Sequence, residues 1–520
     1  MNGRQIDRPI MNKTNKKSLR QKEIKSNNNG FRDETAVKFG TDGFRGIISK
    51  DFTYRTLKIV ALAICDYIHS KKLDLKTAVF YDRRFMSDIF AGQMAKIFAE
   101  NSISVDISSA PVPTPALSYY VKSSAISLGV MITASHNPYE YNGIKIKTSD
   151  GTSASPEIVL EVQKRIDSII ADGFDEQIFK KKYGVKKPGI IKSIDATDAY
   201  LANIAAALDI KLLKKLKGRF LINPMHGSQA GLFKRFKDKF KLAAECCEIF
   251  SGHNPLFPGF NPEPIAPNLV QMSEYMKKKG AAEKYDAGFC FDGDGDRIGA
   301  MTSDGIFVSP QLIFALLLNH LAKNKKRRGG VAKTVSVTAL VSAIAAKHGI
   351  EVFETPIGFK YIAGLITDKS KKIMIGGEES GGIGLDTYLP ERDGLFLALS
   401  LLEVIAFEKK PLHRLIEDLF KDYGRFIYDR IDFKFDDFKF NEIKEKLEKK
   451  RLAEICGFKV ENFSKTDGHK YFLSDGSWIL FRFSGTEPVL RIYAEAPVKV
   501  KKDENKVKEL LKFARDYFQI

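Results

Sequence analysis

From Phe39 onward the chain alternates short apolar runs with stretches of helical periodicity, and this alternation restricts the folds open to it. Residues 77–81 read as a strand between helical stretches at 56–68 and 87–100. Ser155-Pro156-Glu157 sets an N-capping serine before a proline at the first helical position, predicting a helix to about Ala171. Ser309-Pro310-Gln311 repeats that opening. Strands alternating with helices predict α/β domains whose sheets are largely parallel. A chain of 520 residues also exceeds what one core can hold, so several domains are expected. No repeat is visible residue by residue.

Four motifs carry chemistry. The first is Thr133-Ala134-Ser135-His136-Asn137-Pro138, followed by Tyr141-Asn142-Gly143-Ile144-Lys145. The apolar run 125–132 reads as a buried strand that delivers Ser135 at its end, and Asn137-Pro138 favours a turn. A serine at such a corner is a candidate phosphoryl or acyl acceptor with Lys145 as a proton acceptor; a capped loop is the plainer reading. The second is Phe291-Asp292-Gly293-Asp294-Gly295-Asp296-Arg297. Three carboxylates at alternate positions, separated by glycines, can converge on one hard cation, and oxygen ligands suit Mg²⁺. A calcium loop would place a bidentate Glu at its twelfth position, where this sequence has Ser303. A solvated acidic turn is disfavoured by repulsion among the carboxylates. Arg297 supplies a forked donor for a phosphate oxygen.

The third motif is Gly376-Gly377-Glu378-Glu379-Ser380-Gly381-Gly382, in which Glu378 and Ser380 can face adjacent sugar hydroxyls. A strand-to-helix turn explains it equally well in isolation. The fourth, Arg482-Phe483-Ser484-Gly485-Thr486-Glu487-Pro488, combines an arginine, two hydroxyls and a glycine into a nest for phosphate. An ordinary turn remains the alternative.

The four motifs in this order resemble the α-D-phosphohexomutase family, the phosphoglucomutases and phosphomannomutases. The resemblance runs from about Lys38 to the C-terminus and includes Lys38-Phe39-Gly40-Thr41-Asp42-Gly43-Phe44-Arg45-Gly46 and Thr355-Pro356-Ile357-Gly358-Phe359-Lys360. It implies three similar α/β domains with mixed, largely parallel sheets, plus a smaller C-terminal α+β domain, meeting in a four-domain cleft. Composition shifts near 184–189, 301–305 and 422–425 suggest domains at 36–187, 188–302, 303–420 and 421–520.

The resemblance further implies that Ser135 carries a phosphoryl group and that its oxygen joins Asp292, Asp294 and Asp296 on Mg²⁺. Lys145 would be the general acid and base, with Arg45 stabilising the transferring group. His136 either orients the serine loop or satisfies a local backbone group, and Tyr141 is packing. Arg297, Thr355, Gly358, Glu378 and Ser380 would contact the substrate. Arg482, Ser484, Gly485 and Thr486 would hold its existing phosphate. The implied reaction interconverts glucose 1-phosphate and glucose 6-phosphate, with glucose 1,6-bisphosphate as intermediate and activator. Bacterial phosphomannomutase/phosphoglucomutases and phosphoglucosamine mutases usually end the sugar loop Ser-Gly-His, where this chain has Gly382; Glu378-Glu379-Ser380 with Gly358-Phe359-Lys360 resembles the glucose-directed members and favours glucose. Phosphomannomutase or phosphopentomutase activity is the alternative in substrate, and a hydrolase or an inactive relative the alternative in class.

A net charge of +19 invites a nucleic-acid reading, but the lysines are spread over surface runs at 211–217, 323–328 and 444–451, and no nucleic-acid module is recognisable. Solvated helix faces account for them, and the expected partner is a phosphosugar, with no nucleic acid and no membrane, the chain being a monomer or homodimer. The longest apolar stretches are too short or interrupted to cross a bilayer, and the first residues carry no signal core. Cys65, Cys246, Cys247, Cys290 and Cys456 lack metal-ligand spacing, which fits a cytoplasmic protein. Residues 1–35 are rich in Lys, Arg and Asn with little apolar periodicity, so they are expected to form a disordered basic extension. Against a transit peptide stand Asp7, Glu23, Asp33 and Glu34. Removing residues 1–30 should leave catalytic activity near that of the full chain; a truncated protein without turnover would overturn this assignment.

Overall fold

The computed structural model of the chain describes residues 37–40, 43–277, 284–449, 451–484 and 488–519, so the expected extension at 1–35 lies outside the described residues. Four sheets organise the rest. In the first, Leu128–Ile132, Lys76–Tyr81, Ser104–Ser108 and Ile191–Ile194 run parallel in that spatial order. Tyr141–Thr148 and then Phe44–Ile47 extend it antiparallel. The second pairs Arg219–Asn223 in parallel with Glu245–Glu248 and Ala287–Phe291, then adds Ile298–Thr302 and Phe307–Val308 antiparallel. The third sets Gly330–Thr334 parallel to Val352–Thr355 and Ile373–Gly377, with Ile383–Leu385 antiparallel at the edge. The fourth has six strands, all antiparallel, and the helices Asp437–Lys449 and Lys506–Phe518 contribute Ile443, Leu447, Val507 and Leu510 to its core. The chain therefore has three α/β domains with mixed sheets and a C-terminal domain built on an antiparallel sheet.

One local device recurs. In each of the first three sheets a wholly buried parallel strand ends in a motif loop, and the chain returns antiparallel beside it. Leu128–Ile132 returns as Tyr141–Thr148, Ala287–Phe291 as Ile298–Thr302, and Ile373–Gly377 as Ile383–Leu385. The fourth motif joins Trp478–Phe483 to Val489–Val498, again antiparallel neighbours. The first three motifs are hairpin connections at the ends of core strands, which fixes the positions of their side chains.

The helices start where the sequence predicts. Ser155 Oγ accepts from Ile158 N–H and Ser309 Oγ from Leu312 N–H, each before a proline in the first turn. Local elements run across three of the boundaries that composition suggests. Ile191–Ile194 pairs with Ser104–Ser108, so the first sheet extends past the expected boundary at 187/188. Phe307–Val308 pairs with Ile298–Thr302, past 302/303. The helix Leu412–Tyr423 buries Leu415 and Leu419 against the third domain and ends at Gly424, whose φ is 90°, past 420/421. Glycine-rich or charged stretches mark loops, whereas strand pairing decides membership.

One apolar core runs through the first three domains, including Phe80 and Met131, Phe220 and Phe291, and Phe314 and Leu397. The C-terminal domain has a core of its own and meets the third through a small seam of Val335, Trp478, Leu480 and Tyr493. Among the described residues no helix is long and apolar enough to cross a membrane.

Candidate active site

Ser135 sits at the corner that the first motif predicts, with φ of 54°, in the left-handed region that a non-glycine residue occupies at a cost of about 1–3 kcal/mol. The surrounding structure imposes that conformation. Ser135 N–H donates to Thr133 Oγ1 (2.8 Å), and Thr133 Oγ1 donates to Asp82 (2.6 Å). The guanidinium of Arg84, wholly buried, donates to four loop carbonyls: Ser135 (2.7 Å), Asn137 (2.6 Å), Pro138 (2.8 Å) and Tyr141 (3.1 Å). Arg45 Nη1 donates to Asn137 Oδ1 (2.7 Å) and so lies on the same loop. Strand register explains why Arg45 and Lys145 are here: Arg45 faces Gly143, and Lys145 faces Met131, next to the loop. His136 Nδ1 lies 3.4 Å from Ser135 Oγ. Burial holds its imidazole well below the ordinary range, reinforced by Arg297, Arg45, Lys145 and Arg84.

The metal-loop carboxylates meet this corner from the second domain. Ser135 Oγ donates to Asp292 Oδ2 at 3.0 Å, and Gly293 is packed so that a Cβ would lie 2.4 Å from Ser135 O. Asp292, Asp294 and Asp296 are completely buried, each with a carboxylate oxygen within 4.8 Å of the others. Burial, then Asp296 and Asp294, pushes the Asp292 carboxyl well above its usual range. Such a cluster demands positive charge. Lys145 Nζ bridges Asp294 (2.9 Å) and Asp296 (3.1 Å), and Arg392 Nη2 reaches Asp296 at 2.7 Å. Asp296 Oδ1 is buried without a hydrogen-bond partner. Three converging carboxylates with only oxygen donors fit a Mg²⁺ ion. A lysine paired with two carboxylates keeps its proton, so Lys145 can accept one only when the charge of those carboxylates is otherwise compensated.

Arg297 Nη1 donates to Glu263 (3.1 Å), and its backbone N–H to Asp292 Oδ1 (3.1 Å), so it borders the metal loop. In the third domain, Glu378 is almost fully buried: Oε1 accepts from Gly358 N–H (3.1 Å), and Oε2 lies 3.5 Å from Arg392 Nη1. Gly358 has φ of 134°, and Thr355, buried at its strand end, donates to Pro356 O (3.0 Å). Ser380 is half-buried on the sugar loop. Arg482 Nε donates to Asp467 Oδ2 (2.9 Å), and Asp467 in turn accepts from Ile357 N–H (2.9 Å). Ser484 N–H donates to Val489 O (2.8 Å), while Gly485 and Thr486 lie outside the described residues. One polar network thus runs from Ser135 and Lys145 through Asp296, Arg392, Glu378 and Gly358 to Asp467 and Arg482, touching all four domains.

The sequence matches phosphoglucomutase/phosphomannomutase alpha/beta/alpha domain I over residues 36–172, domain II over 198–305, domain III over 309–423 and the C-terminal domain over 437–512. The chain belongs to the phosphohexomutase family. It is 30% identical over 482 residues to a phosphoglucosamine/phosphogalactosamine mutase of Sulfurisphaera tokodaii, covering 91% of this chain and 97% of that one. It is 28% identical over 483 residues to a phosphoglucomutase/phosphomannomutase of Thermococcus kodakarensis, covering 91% and 96%. A crystal structure from Thermus thermophilus, assigned as a phosphomannomutase, superposes with a TM-score of 0.79 at 30% identity, covering 93% of this chain and 99% of that one.

Several residues of this phosphohexomutase site escape a reading of its motifs. Arg84 and Asp82 stand in a strand end that carries no motif, and Arg392 follows Tyr388-Leu389-Pro390-Glu391 with no chemical pattern. Asp467 belongs to a Thr-Asp-Gly turn that reads as a hairpin signal alone. A lysine at position 84 would offer a point charge in place of a fork spanning four carbonyls. Arg84→Lys should therefore lower turnover by roughly ten- to a hundredfold and speed amide exchange at 135–141. Unchanged exchange there would show that the loop keeps its shape without the fork.

Proposed function

We propose that this phosphohexomutase is a Mg²⁺-dependent phosphoglucomutase that works through a phosphorylated Ser135. The observation that carries the reading is the junction at Ser135: its Oγ is 3.0 Å from Asp292, and Lys145 bridges the other two aspartates of the same loop. Held by Asp292, Asp294 and Asp296, Mg²⁺ would offset phosphoryl charge and draw electron density from the phosphorus–oxygen bond. In the first half-reaction a sugar hydroxyl forms a new bond to phosphorus as the bond from phosphorus to Ser135 Oγ breaks. The hydroxyl's proton passes to Lys145, and Ser135 Oγ leaves as the alkoxide that attacks phosphorus in the second half-reaction. The resulting bisphosphate turns over within the cleft and returns its other phosphoryl group to Ser135 Oγ, with Lys145 protonating the sugar oxygen left behind. Arg45, held on the serine loop by Asn137, and Arg297, bordering the metal loop, stabilise the transferring group. Arg482, Ser484, Gly485 and Thr486 anchor the distal phosphate, and Glu378 and Ser380 read the hydroxyls between.

The preference for glucose rests on Gly382. A Cβ there would lie 2.3 Å from Arg392 Cδ and 3.0 Å from Glu378 Oε2, so Arg392 fills the space a Ser-Gly-His loop would need for its histidine. Glucosamine 1-phosphate is the second reading, favoured by the Sulfurisphaera relative. The five cysteines, none of them in a disulfide, support a cytoplasmic setting.

The deciding assay compares glucose 1-phosphate, mannose 1-phosphate and glucosamine 1-phosphate with Mg²⁺ and a trace of the matching bisphosphate. Fastest turnover of the glucose ester is the expected result, and a faster mannose or glucosamine ester would move the substrate assignment to that sugar. Ser135→Ala should lose net turnover while still binding sugar phosphate; retained turnover would exclude the phosphoserine route. Asp294→Asn should lower the rate and raise the Mg²⁺ concentration needed for half-activation. A normal Mg²⁺ titration would remove Asp294 from the ligand set.

A further inference from the structure

Asp467 Oδ2 accepts two hydrogen bonds from opposite sides of a domain boundary, one from Ile357 N–H at 2.9 Å and one from Arg482 Nε at 2.9 Å. Asp467 lies in the turn between Phe458–Ser464 and His469–Leu473. Gly468 follows with φ of 97°, where a Cβ would lie 2.4 Å from Phe481 O. The turn is therefore pressed against the strand that carries Arg482. On the other side, Ile357 belongs to the turn after Val352–Thr355, and the next amide, Gly358, donates to Glu378 Oε1 at 3.1 Å. Two consecutive amides thus tie the sugar-loop carboxylate and the phosphate-nest arginine to one turn.

We infer that Asp467 is a positioning residue that couples phosphate capture by Arg482 to closure of the C-terminal domain on the sugar loop. The inference rests on the reading above, in which Arg482 holds the substrate's phosphate. Holding Nε fixes the plane of the guanidinium, and with it the directions of both Nη groups. A phosphate that engages those groups stiffens the arginine against Asp467, Asp467 holds Ile357 N–H, and the adjoining Gly358 stays on Glu378. Phosphate and sugar recognition then become one event although they belong to different domains.

The same boundary contains its own reporter. Ile357 packs on the seam of Val335, Trp478, Leu480 and Tyr493. Lys470 Nζ crosses it to donate to Val335 O at 2.6 Å and lies 4.6 Å from the centre of the Trp478 ring. Trp478 is the only tryptophan of the chain, so its emission reads this seam alone.

The test uses the full-length protein with two readouts, steady-state turnover of glucose 1-phosphate and Trp478 fluorescence during titration with glucose 6-phosphate and with inorganic phosphate. In Asp467→Asn and Asp467→Ala, KM and the fluorescence midpoints should both rise roughly tenfold or more while kcat falls less than about threefold. Asp467→Glu, which keeps the charge, should recover part of the loss. Wild-type midpoints in the Asn and Ala variants, or a lower kcat with KM unchanged, would overturn the coupling. So would a native protein whose Trp478 emission ignores both ligands, whatever its turnover. If the native protein turns over no sugar phosphate but its Trp478 response to phosphate still depends on Asp467, the mutase reading falls and the coupling stands.

Discussion

Three carboxylates buried against a serine hydroxyl set the terms for the rest of the molecule. No single domain neutralises them. Lys145 comes from the first domain and Arg392 from the third, while the aspartates come from the second. Removing one partner from such a cluster leaves an uncompensated buried charge, typically a loss of about 3–5 kcal/mol. The charge requirement therefore works as a constraint on assembly: the first three domains must dock for the metal loop to be tolerable. The continuous apolar core that these three domains share is the packing counterpart of the same constraint.

Strand alternation extends this logic to Lys147. Two positions after Lys145, it points to the same side of its strand and is wholly buried. It pairs with Glu391, whose carboxyl stays below its ordinary range because Lys147 and Arg392 together outweigh the opposing effect of burial. Opposite charges thus alternate from Asp294 through Lys145, Asp296, Arg392 and Glu391 to Lys147, crossing domain boundaries at nearly every step. A buried network of this kind has little tolerance for misplacement, because each unpaired member is costly. It makes the relative placement of the three domains as specific as the packing within them.

Much of this was legible in the sequence. The four loops announced themselves because glycine, carboxylate and hydroxyl patterns are dictated by local chemistry, and the serine-capped, proline-led helices were readable for the same reason. What the sequence hid is what depends on pairing between distant segments. The recurring hairpin at each motif left no residue-level repeat, since only backbone pairing is shared while each loop carries different chemistry. Ile191–Ile194 and Phe307–Val308 went unread because they are short strands whose sheet membership depends on distant partners. Arg84 and Arg392 were missed for the same reason: an arginine becomes a clamp or a bridge only when the fold brings carbonyls and carboxylates to it.

The fourth domain is held differently, in a way that suits the proposed function. It has a separate core, a linker at Gly424, a seam of few apolar side chains, and polar bridges such as Asp467–Ile357 and Lys470–Val335. Interfaces of this composition permit rigid-body motion, whereas a core shared by three domains resists it. In the proposed reaction the bisphosphate must release its anchored phosphate, turn, and be gripped again without leaving. A phosphate nest on the rigid three-domain body would have to be either too weak to hold the substrate or too tight to let it turn. In the proposed function, a nest mounted on the one domain attached by a small seam would alternate between grip and release while Ser135 and the metal loop stay fixed. In the proposed reaction, the division between one large core and one small one would be the division between the part that holds still and the part that moves.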